Sequence, residues 1–250
     1  MAKPAKTDRK AVIDQMRKQQ KSADRRRGAV IVTVCILVAV GIVAAAVVPI
    51  LVDKWDDREL DNTALADIGQ PVSACQDIET KKADGNQNHV PVDTPVDYTT
   101  APPAFGPHWN QAGVAPASFA RKFYTPDDRP ALEALVHNLE HGYAILWYDE
   151  TIADDQAAMA DIEAISRKFG DDNFRDKFVA APWLSTDENG KKFPDGQHIA
   201  ITHWSAGGNG VTDPAKQVGV FQYCSGVSGA AVESFMKKYP YTDSPEPNAM

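Results

Sequence analysis

The pattern of apolar positions first sets apart one long stretch of the chain. Residues 29–52 contain no charged side chain, and nearly all of them are apolar. As an α-helix this stretch is about 36 Å long, which exceeds the roughly 30 Å hydrocarbon core of a bilayer. The pattern therefore predicts a transmembrane helix over residues 28–52.

A helix and a strand are predicted to follow each other directly in the middle of the chain. The helix carries apolar residues at the i, i+3, i+4 and i+7 spacing of a single face, at Leu132, Leu135, Val136 and Leu139. Pro130 suits its first turn, behind the candidate N-caps Asp127 and Asp128. Gly142 suits its C-terminal end, because glycine adopts a left-handed backbone without a Cβ penalty. Residues 143–148 have the composition of a buried strand.

The remaining patterns predict an α+β domain. An extended segment over 89–98 precedes the central helix, and a helix over 152–169 follows the central strand. Two further strands and a closing helix are predicted at 177–183, 198–204 and 229–239. The resulting order is βαβαββα with long insertions. A three-layer α+β or thioredoxin-like sandwich satisfies this order.

These patterns divide the chain into five segments. The segments are a basic cytoplasmic arm at 1–27, a transmembrane helix at 28–52, an acidic stalk at 53–70, a single extracytoplasmic domain at 71–240 and a disordered tail at 241–250. The tail is assigned as disordered because its polar, proline-rich composition offers little apolar surface to bury.

The charge distribution predicts the orientation of the chain across the membrane. Residues 1–27 hold ten Lys/Arg and three Asp, a net charge of +7, which leaves −15 for the rest of a chain whose total is −8. The positive-inside rule then places the N-terminus in the cytosol and the domain outside the cell membrane. The expected partners are the lipid bilayer and a membrane or envelope protein. The acidic outer part argues against nucleic acid.

A cleaved signal peptide is the alternative reading of the apolar run. The small residues 44–46 would suit a cleavage site. The run is long for a signal peptide and continues past these alanines to Val52, which favours an uncleaved anchor.

The cysteines agree with an extracytoplasmic domain. Cys35 lies inside the predicted span, so Cys75 and Cys224 are the remaining pair of the three cysteines. A pair in an oxidising compartment predicts a disulfide, with Cα atoms about 4.4–6.8 Å apart. Two reduced cysteines acting as metal ligands or redox thiols are the weaker alternative, because no CxxC pair is present.

Four of the six histidines point to a metal site. His137 and His141 lie one turn apart on the predicted helix, His108 ends a proline-stiffened loop, and His89 begins the extended segment before it. Imidazole is a common ligand of copper and zinc. We therefore expect these four side chains to bind a copper or zinc ion, with Glu140 as a ligand or as an orienting residue.

Two other interpretations of the histidines remain open. His137, Glu140 and His141 have the HxxEH spacing of inverted zinc proteases, in which the glutamate is the general base. The chain would then be a zinc-dependent hydrolase. Alternatively, the histidines cap the helix and bond to loop carbonyls, in a structural or partner-binding domain without metal.

Two short motifs resemble a known family. The PPxxGPH loop at 102–108 and VHNLEHG at 136–142, together with one N-terminal span, resemble the bacterial domain of unknown function 3105 family. The PEPN sequence at 245–248 is similar to that of actinobacterial members. Phe105 departs from the serine expected before the loop glycine. The resemblance implies a membrane-anchored extracytoplasmic domain without an established activity.

The charge asymmetry generates a prediction about topology. Protease added to intact cells should remove a tag fused to the C-terminus, because the domain is expected outside, and should spare a tag fused to the N-terminus. Immunoblotting of both tags gives the measurement. Digestion of the N-terminal tag with protection of the C-terminal one would show the opposite orientation.

Overall fold

The N-terminal part of the chain is one long helix. The computed structural model describes residues 6–83, 87–170 and 172–249, so the ends of the predicted arm and tail, at 1–5 and 250, lie outside the described residues. Helix α1 runs over Lys6–Asn62. Its segment Val12–Ala45 is the one stretch in the described ranges that is long and apolar enough to cross a membrane. A signal sequence near the N-terminus can also meet these criteria of length and composition, so anchoring stays a prediction.

The domain that follows is built on a five-stranded mixed sheet. Its strands are β1 (Glu79–Lys82), β4 (Ala144–Tyr148), β5 (Phe178–Pro182), β6 (Ile199–Ser205) and β7 (Val218–Cys224). Their order across the sheet is β1-β7-β6-β4-β5. Only β4 and β5 pair in parallel, and the other neighbours are antiparallel. The α+β class is therefore confirmed, whereas a thioredoxin-like fold stays a prediction.

Both faces of the sheet are covered by helices. Alternate residues of each strand point to opposite sides, so each strand contributes to both faces. On β4, Ile145 and Trp147 face one apolar cluster, and Leu146 and Tyr148 face the other. Helix α2 (Leu132–Glu140) packs on the first face. Helices α4 (Gln156–Arg167) and α5 (Gly229–Lys238) pack on the second. The domain thus has three layers.

The central helix and strand lie where the sequence predicts them, apart from the start of the helix. Gly142 has a φ of 93° directly after the end of α2, as expected for a C-terminal glycine. The N-cap is Ala131, which makes no side-chain cap bond. The predicted caps are wrong, because the Asp128 carboxylate accepts hydrogen bonds from Thr125 instead.

The helix predicted over 152–169 is two helices. Helix α3 (Glu150–Ala153) ends before α4 begins, and Asp155 caps α4 by accepting hydrogen bonds from the amides of Ala157 and Ala158. A short acidic side chain at this position favours a new N-terminus over a continuous helix.

The sequence patterns did not predict two strands of this sheet, and they predicted one strand outside it to be longer than it is. Strand β7 lies between β1 and β6, and β1 pairs with it at the edge of the sheet, yet neither was predicted. The extended segment expected over 89–98 contains only β2 (His89–Val90), which pairs in parallel with β3 (His108–Trp109) in a separate two-stranded sheet. Loop geometry therefore replaces most of the expected strand.

The structure places both flanks of the predicted domain against its core. Ile68, at the end of the expected stalk, is buried, and the Gln70 amide donates to the carbonyl of Val227. In the expected disordered tail, Asp243 and Ser244 are buried. The tail is ordered by polar contacts, which a composition argument does not detect.

The predicted disulfide is present. Cys75 and Cys224 are bonded and lie 149 residues apart in the chain. Their Cα atoms are 3.9 Å apart, closer than the predicted range. The two residues face each other in an antiparallel bridge. The backbone hydrogen bonds of this bridge are made by the residues next to the two cysteines, so Cys75 and Cys224 are a non-hydrogen-bonded pair. In such antiparallel pairs the Cα atoms lie about 4.5 Å apart.

The disulfide generates a prediction about thiols and stability. Denatured protein kept free of reductant should show one reactive thiol, that of Cys35, and three after reduction. Replacing both Cys75 and Cys224 with alanine should lower the free energy of unfolding by about 5 kcal/mol, the loop-closure estimate. Thiol titration and urea denaturation give the measurements. Three reactive thiols before reduction would contradict the bond.

Candidate metal centre

Three imidazoles and one carboxylate meet at the end of α2. Oε2 of Glu140 lies 2.9 Å from Nε2 of His108 and 3.4 Å from Nε2 of His89. The same oxygen lies 4.0 Å from Nε2 of His137. The ring centroids are 4.8–5.3 Å apart in pairs. All except His89, whose side chain is 40% exposed, are buried. This group is called the His/Glu cluster below.

Three separate elements bring these side chains together. The parallel pairing of β2 and β3 sets His89 directly opposite His108. Helix α2 carries His137 and Glu140 at i and i+3, which places both on one side of the helix. The two strands therefore supply one half of the cluster and the helix supplies the other.

Backbone carbonyls fix which nitrogens of two imidazoles face the carboxylate. Nδ1 of His108 lies 2.8 Å from the carbonyl oxygen of Gly106, and Nδ1 of His137 lies 2.7 Å from that of Trp109. A carbonyl only accepts hydrogen bonds, so each Nδ1 carries the proton. In the neutral His108 ring, Nε2 then presents its lone pair to Oε2 of Glu140 at 2.9 Å, and a proton or a metal ion must lie between these two atoms.

A one-way chain of hydrogen bonds orients Glu140. The indole of Trp204 donates to Oε1 of Gln217, whose amide nitrogen donates to Oε1 of Gln87. The amide nitrogen of Gln87 in turn donates to Oε1 of Glu140. Because the indole is only a donor, it sets the direction of every bond in the chain. The chain leaves Oε2 of Glu140 to the histidines.

The protonation of two members favours ligand binding. Burial raises the pKa of Glu140, but the hydrogen bond and charge of His108 and the bond from Gln87 outweigh it and lower the pKa to about 2. Burial, together with the charges of His141 and His108, lowers the pKa of His137 to about 4. Near neutral pH, the carboxylate is therefore ionised and the His137 ring is neutral, as metal ligands require.

His141 lies beside the His/Glu cluster and faces another way. Its ring stands edge-on to that of His137, with centroids 4.4 Å apart. Its Nε2 lies 3.6 Å from Oε2 of Glu246, in the C-terminal tail. The structure therefore brings three of the four predicted histidines onto Glu140 and places the fourth in an adjoining group.

A buried lysine holds the tail against this region. The ammonium group of Lys177 donates to the carbonyl oxygens of His141, Pro247 and Ala249, at 2.7, 2.9 and 2.7 Å. It also lies 4.0 Å from the ring centroid of Phe174. Burial lowers the pKa of Lys177 to about 8. The lysine thereby fastens the last described residues to the end of α2.

The two remaining histidines have other roles. His203 is fully buried, and its ring nitrogens bond to the carbonyl oxygens of Tyr143 and Asp243. His198 pairs with Asp149 at 2.8 Å in a cavity of about 270 Å³. Neither contributes to the His/Glu cluster, in agreement with the sequence-based choice of candidates.

Sequence reasoning missed three residues of this region. Gln87, Gln217 and Lys177 come from distant parts of the chain, and none belongs to a recognisable motif. Glutamine and lysine are common on surfaces, so the burial of Gln217 and Lys177 and the partial burial of Gln87 are visible only in the fold. Glu246 had one signal, its position inside the PEPN sequence of the resembled family.

The fold and the cluster define a class of protein: a three-layer α+β domain with a buried group of three histidines and one glutamate. The family model "Protein of unknown function (DUF3105)" matches residues 89–250. This match covers more than half of the chain, and the chain belongs to that family. It confirms the resemblance based on the loop and helix motifs, whereas the actinobacterial type stays a prediction. No curated protein and no solved structure matches the chain.

The buried lysine generates a prediction about the tail. Lys177→Met should lower the free energy of unfolding by about 3 kcal/mol, because it leaves buried carbonyl groups without their donor. It should also speed hydrogen exchange at the Glu246 amide, which bonds to the carbonyl of Glu140. Urea denaturation and exchange mass spectrometry give the measurements. The control is Lys237→Met, at an exposed lysine, and equal exchange in both variants would contradict the role of Lys177.

Proposed function

We propose that this protein is a membrane-anchored, extracytoplasmic domain that binds one copper or zinc ion through the His/Glu cluster. The single observation that carries the proposal is the convergence of three Nε2 atoms on one oxygen of a buried glutamate. The four ligand atoms lie within 4.8 Å of one another.

The spacing of these atoms suits a small ion. In a tetrahedral site with bonds of 2.0–2.1 Å, neighbouring ligand atoms are about 3.3 Å apart. The three distances to Oε2 of Glu140, at 2.9, 3.4 and 4.0 Å, fall on both sides of that value. Small rotations of the side chains would bring these three distances to that value.

The surroundings of the cluster also resemble those of metal ligands. Histidines that bind metals usually donate their other N–H to a carbonyl or a carboxylate, which fixes the ring. Here the carbonyls of Gly106 and Trp109 take that role for His108 and His137. Gln87 does the same for the carboxylate of Glu140.

The donor set favours divalent ions. Three imidazoles and a carboxylate suit Zn²⁺ and Cu²⁺, whereas Cu⁺ prefers thiolate and thioether ligands. None of these sulfur groups is among the four ligands. We therefore infer that the ion is bound in its divalent state.

The arrangement gives less support to a hydrolase. In the HxxEH mechanism, Glu140 would act as a general base on a water molecule. Its carboxylate is 1% exposed, one oxygen accepts from Gln87, and the other faces His108. Burial and occupied oxygens suit a metal ligand. They do not suit a general base, because a general base needs access to water.

Two observations support the extracytoplasmic location. The disulfide between Cys75 and Cys224 suits an oxidising compartment. The apolar segment of α1 has the length and composition of a membrane anchor, with basic residues on its N-terminal side.

Metal titration of substituted proteins tests the proposal. Full-length protein in detergent, stripped with a chelator, should bind Zn²⁺ or Cu²⁺, and His108→Ala, His137→Ala and Glu140→Gln should each weaken binding by more than about 100-fold. Loss of an outer hydrogen-bond partner alone costs 10–100-fold, so loss of a ligand should cost more. Calorimetry measures the affinity, and circular dichroism checks the fold.

The matched control is His198→Ala, which removes a partly buried histidine outside the cluster. It should bind the ion as tightly as the unsubstituted chain. The proposal fails if the unsubstituted chain binds neither ion, or if His198→Ala weakens binding as much as His108→Ala does.

A further inference from the structure

A second group of potential ligands adjoins the His/Glu cluster. Ligand atoms of Glu140, His141 and Glu246 lie within 4.8 Å of one another. Nε2 of His141 and Oε2 of Glu246 are 3.6 Å apart, a separation that suits two ligands of one ion. Glu140 belongs to both groups, so the two share a carboxylate.

The position of Glu246 is fixed by the fold. Its amide donates to the carbonyl oxygen of Glu140 at 2.9 Å, which anchors it one residue away from His141. On its other side, Lys177 bonds to the carbonyl oxygens of Pro247 and Ala249. At the start of the tail, the backbone of Tyr241 lies very close to that of Gly142, which follows α2. A Cβ atom on Gly142 would collide with the carbonyl oxygen of Tyr241. The tail is therefore fixed on both sides of Glu246, and this places the Glu246 side chain next to His141.

The two groups are close enough to form one centre. The rings of His137 and His141, one from each group, are in edge-on contact at 4.4 Å. A carboxylate has about four lone-pair positions on its two oxygens, so it can bind two ions at once. Proteins that hold pairs of ions place them about 3.5–4 Å apart.

The environments of the two groups differ. His89, His108 and His137 give the first group three nitrogens around one carboxylate, mostly buried. The second group has one nitrogen and two carboxylates, and its Glu246 side chain is 47% exposed. An oxygen-rich, half-open site has room for water ligands and should bind a divalent ion more weakly than the first group.

We propose that Glu140, His141 and Glu246 form a second, weaker site for a divalent transition-metal ion, bridged to the first by Glu140. This inference rests on the proposed function, because the bridging carboxylate is a ligand of the first ion. It adds a role for the C-terminal tail, which supplies a ligand to the centre.

Metal stoichiometry tests this inference with Co²⁺ as the probe. The full-length chain in detergent, stripped with a chelator and dialysed against Co²⁺, should retain two ions per chain. Glu246→Gln and His141→Ala should each retain one. His108→Ala should lose the tight ion, and Glu140→Gln should lose both. Metal analysis after dialysis gives the count, and the visible absorption of Co²⁺ reports the ligands at each step.

Glu163→Gln is the matched control, because Glu163 is 48% exposed and pairs with Arg167 on α4, away from the centre. It should retain two ions. Glu246→Gln changes a half-exposed residue, so its result does not depend on the folding of a variant with a buried change such as His141→Ala.

The outcomes separate the two proposals. One ion in both the unsubstituted chain and Glu246→Gln would overturn the second site and leave the first intact. Two ions in Glu246→Gln would overturn the role of the tail as a ligand. No ion in the unsubstituted chain would overturn both proposals.

Discussion

The buried negative charge of Glu140 is the constraint on which the rest of this region depends. An ionised carboxylate that is removed from water costs several kcal/mol unless charged and hydrogen-bonding partners replace the lost solvation. Around Glu140, Gln87 satisfies one oxygen and His108 faces the other. The chain from Trp204 through Gln217 shows that the sheet itself positions this charge, so the cluster is built into the core.

Helix α2 connects that charge to the fold. One side of the helix buries Leu135 and Leu139 against the sheet, and this packing gives the helix a fixed depth and rotation. Two further residues of the same turns, His137 and Glu140, are thereby held in place relative to the β2–β3 pair. The geometry of the polar group is therefore a consequence of the apolar packing on the opposite side of the same helix.

The sequence predicted the parts of this region that local patterns encode. The period of α2, Gly142 at its end and the choice of His89, His108 and His137 could be read from spacing and turn chemistry. Strand β7 was missed although it lies inside the sheet and follows its partner β6 closely in the chain. Strand β1 was missed because its four residues are exposed and join the sheet only by pairing with β7, far away in the chain. Gln87 and Lys177 were missed for the same reason, since only the folded chain shows which carbonyl or carboxylate each one reaches.

The bond between Cys75 and Cys224 has a mechanical consequence. Every member of the His/Glu cluster lies inside the loop of 149 residues that this bond closes. A pulling force applied between α1 and the residues after Cys224 therefore passes directly from one cysteine to the other. The covalent chain between the two cysteines bears none of that tension, so the force reaches helix α2 and the clustered side chains through non-covalent contacts, such as those of the C-terminal tail with Glu140 and Lys177.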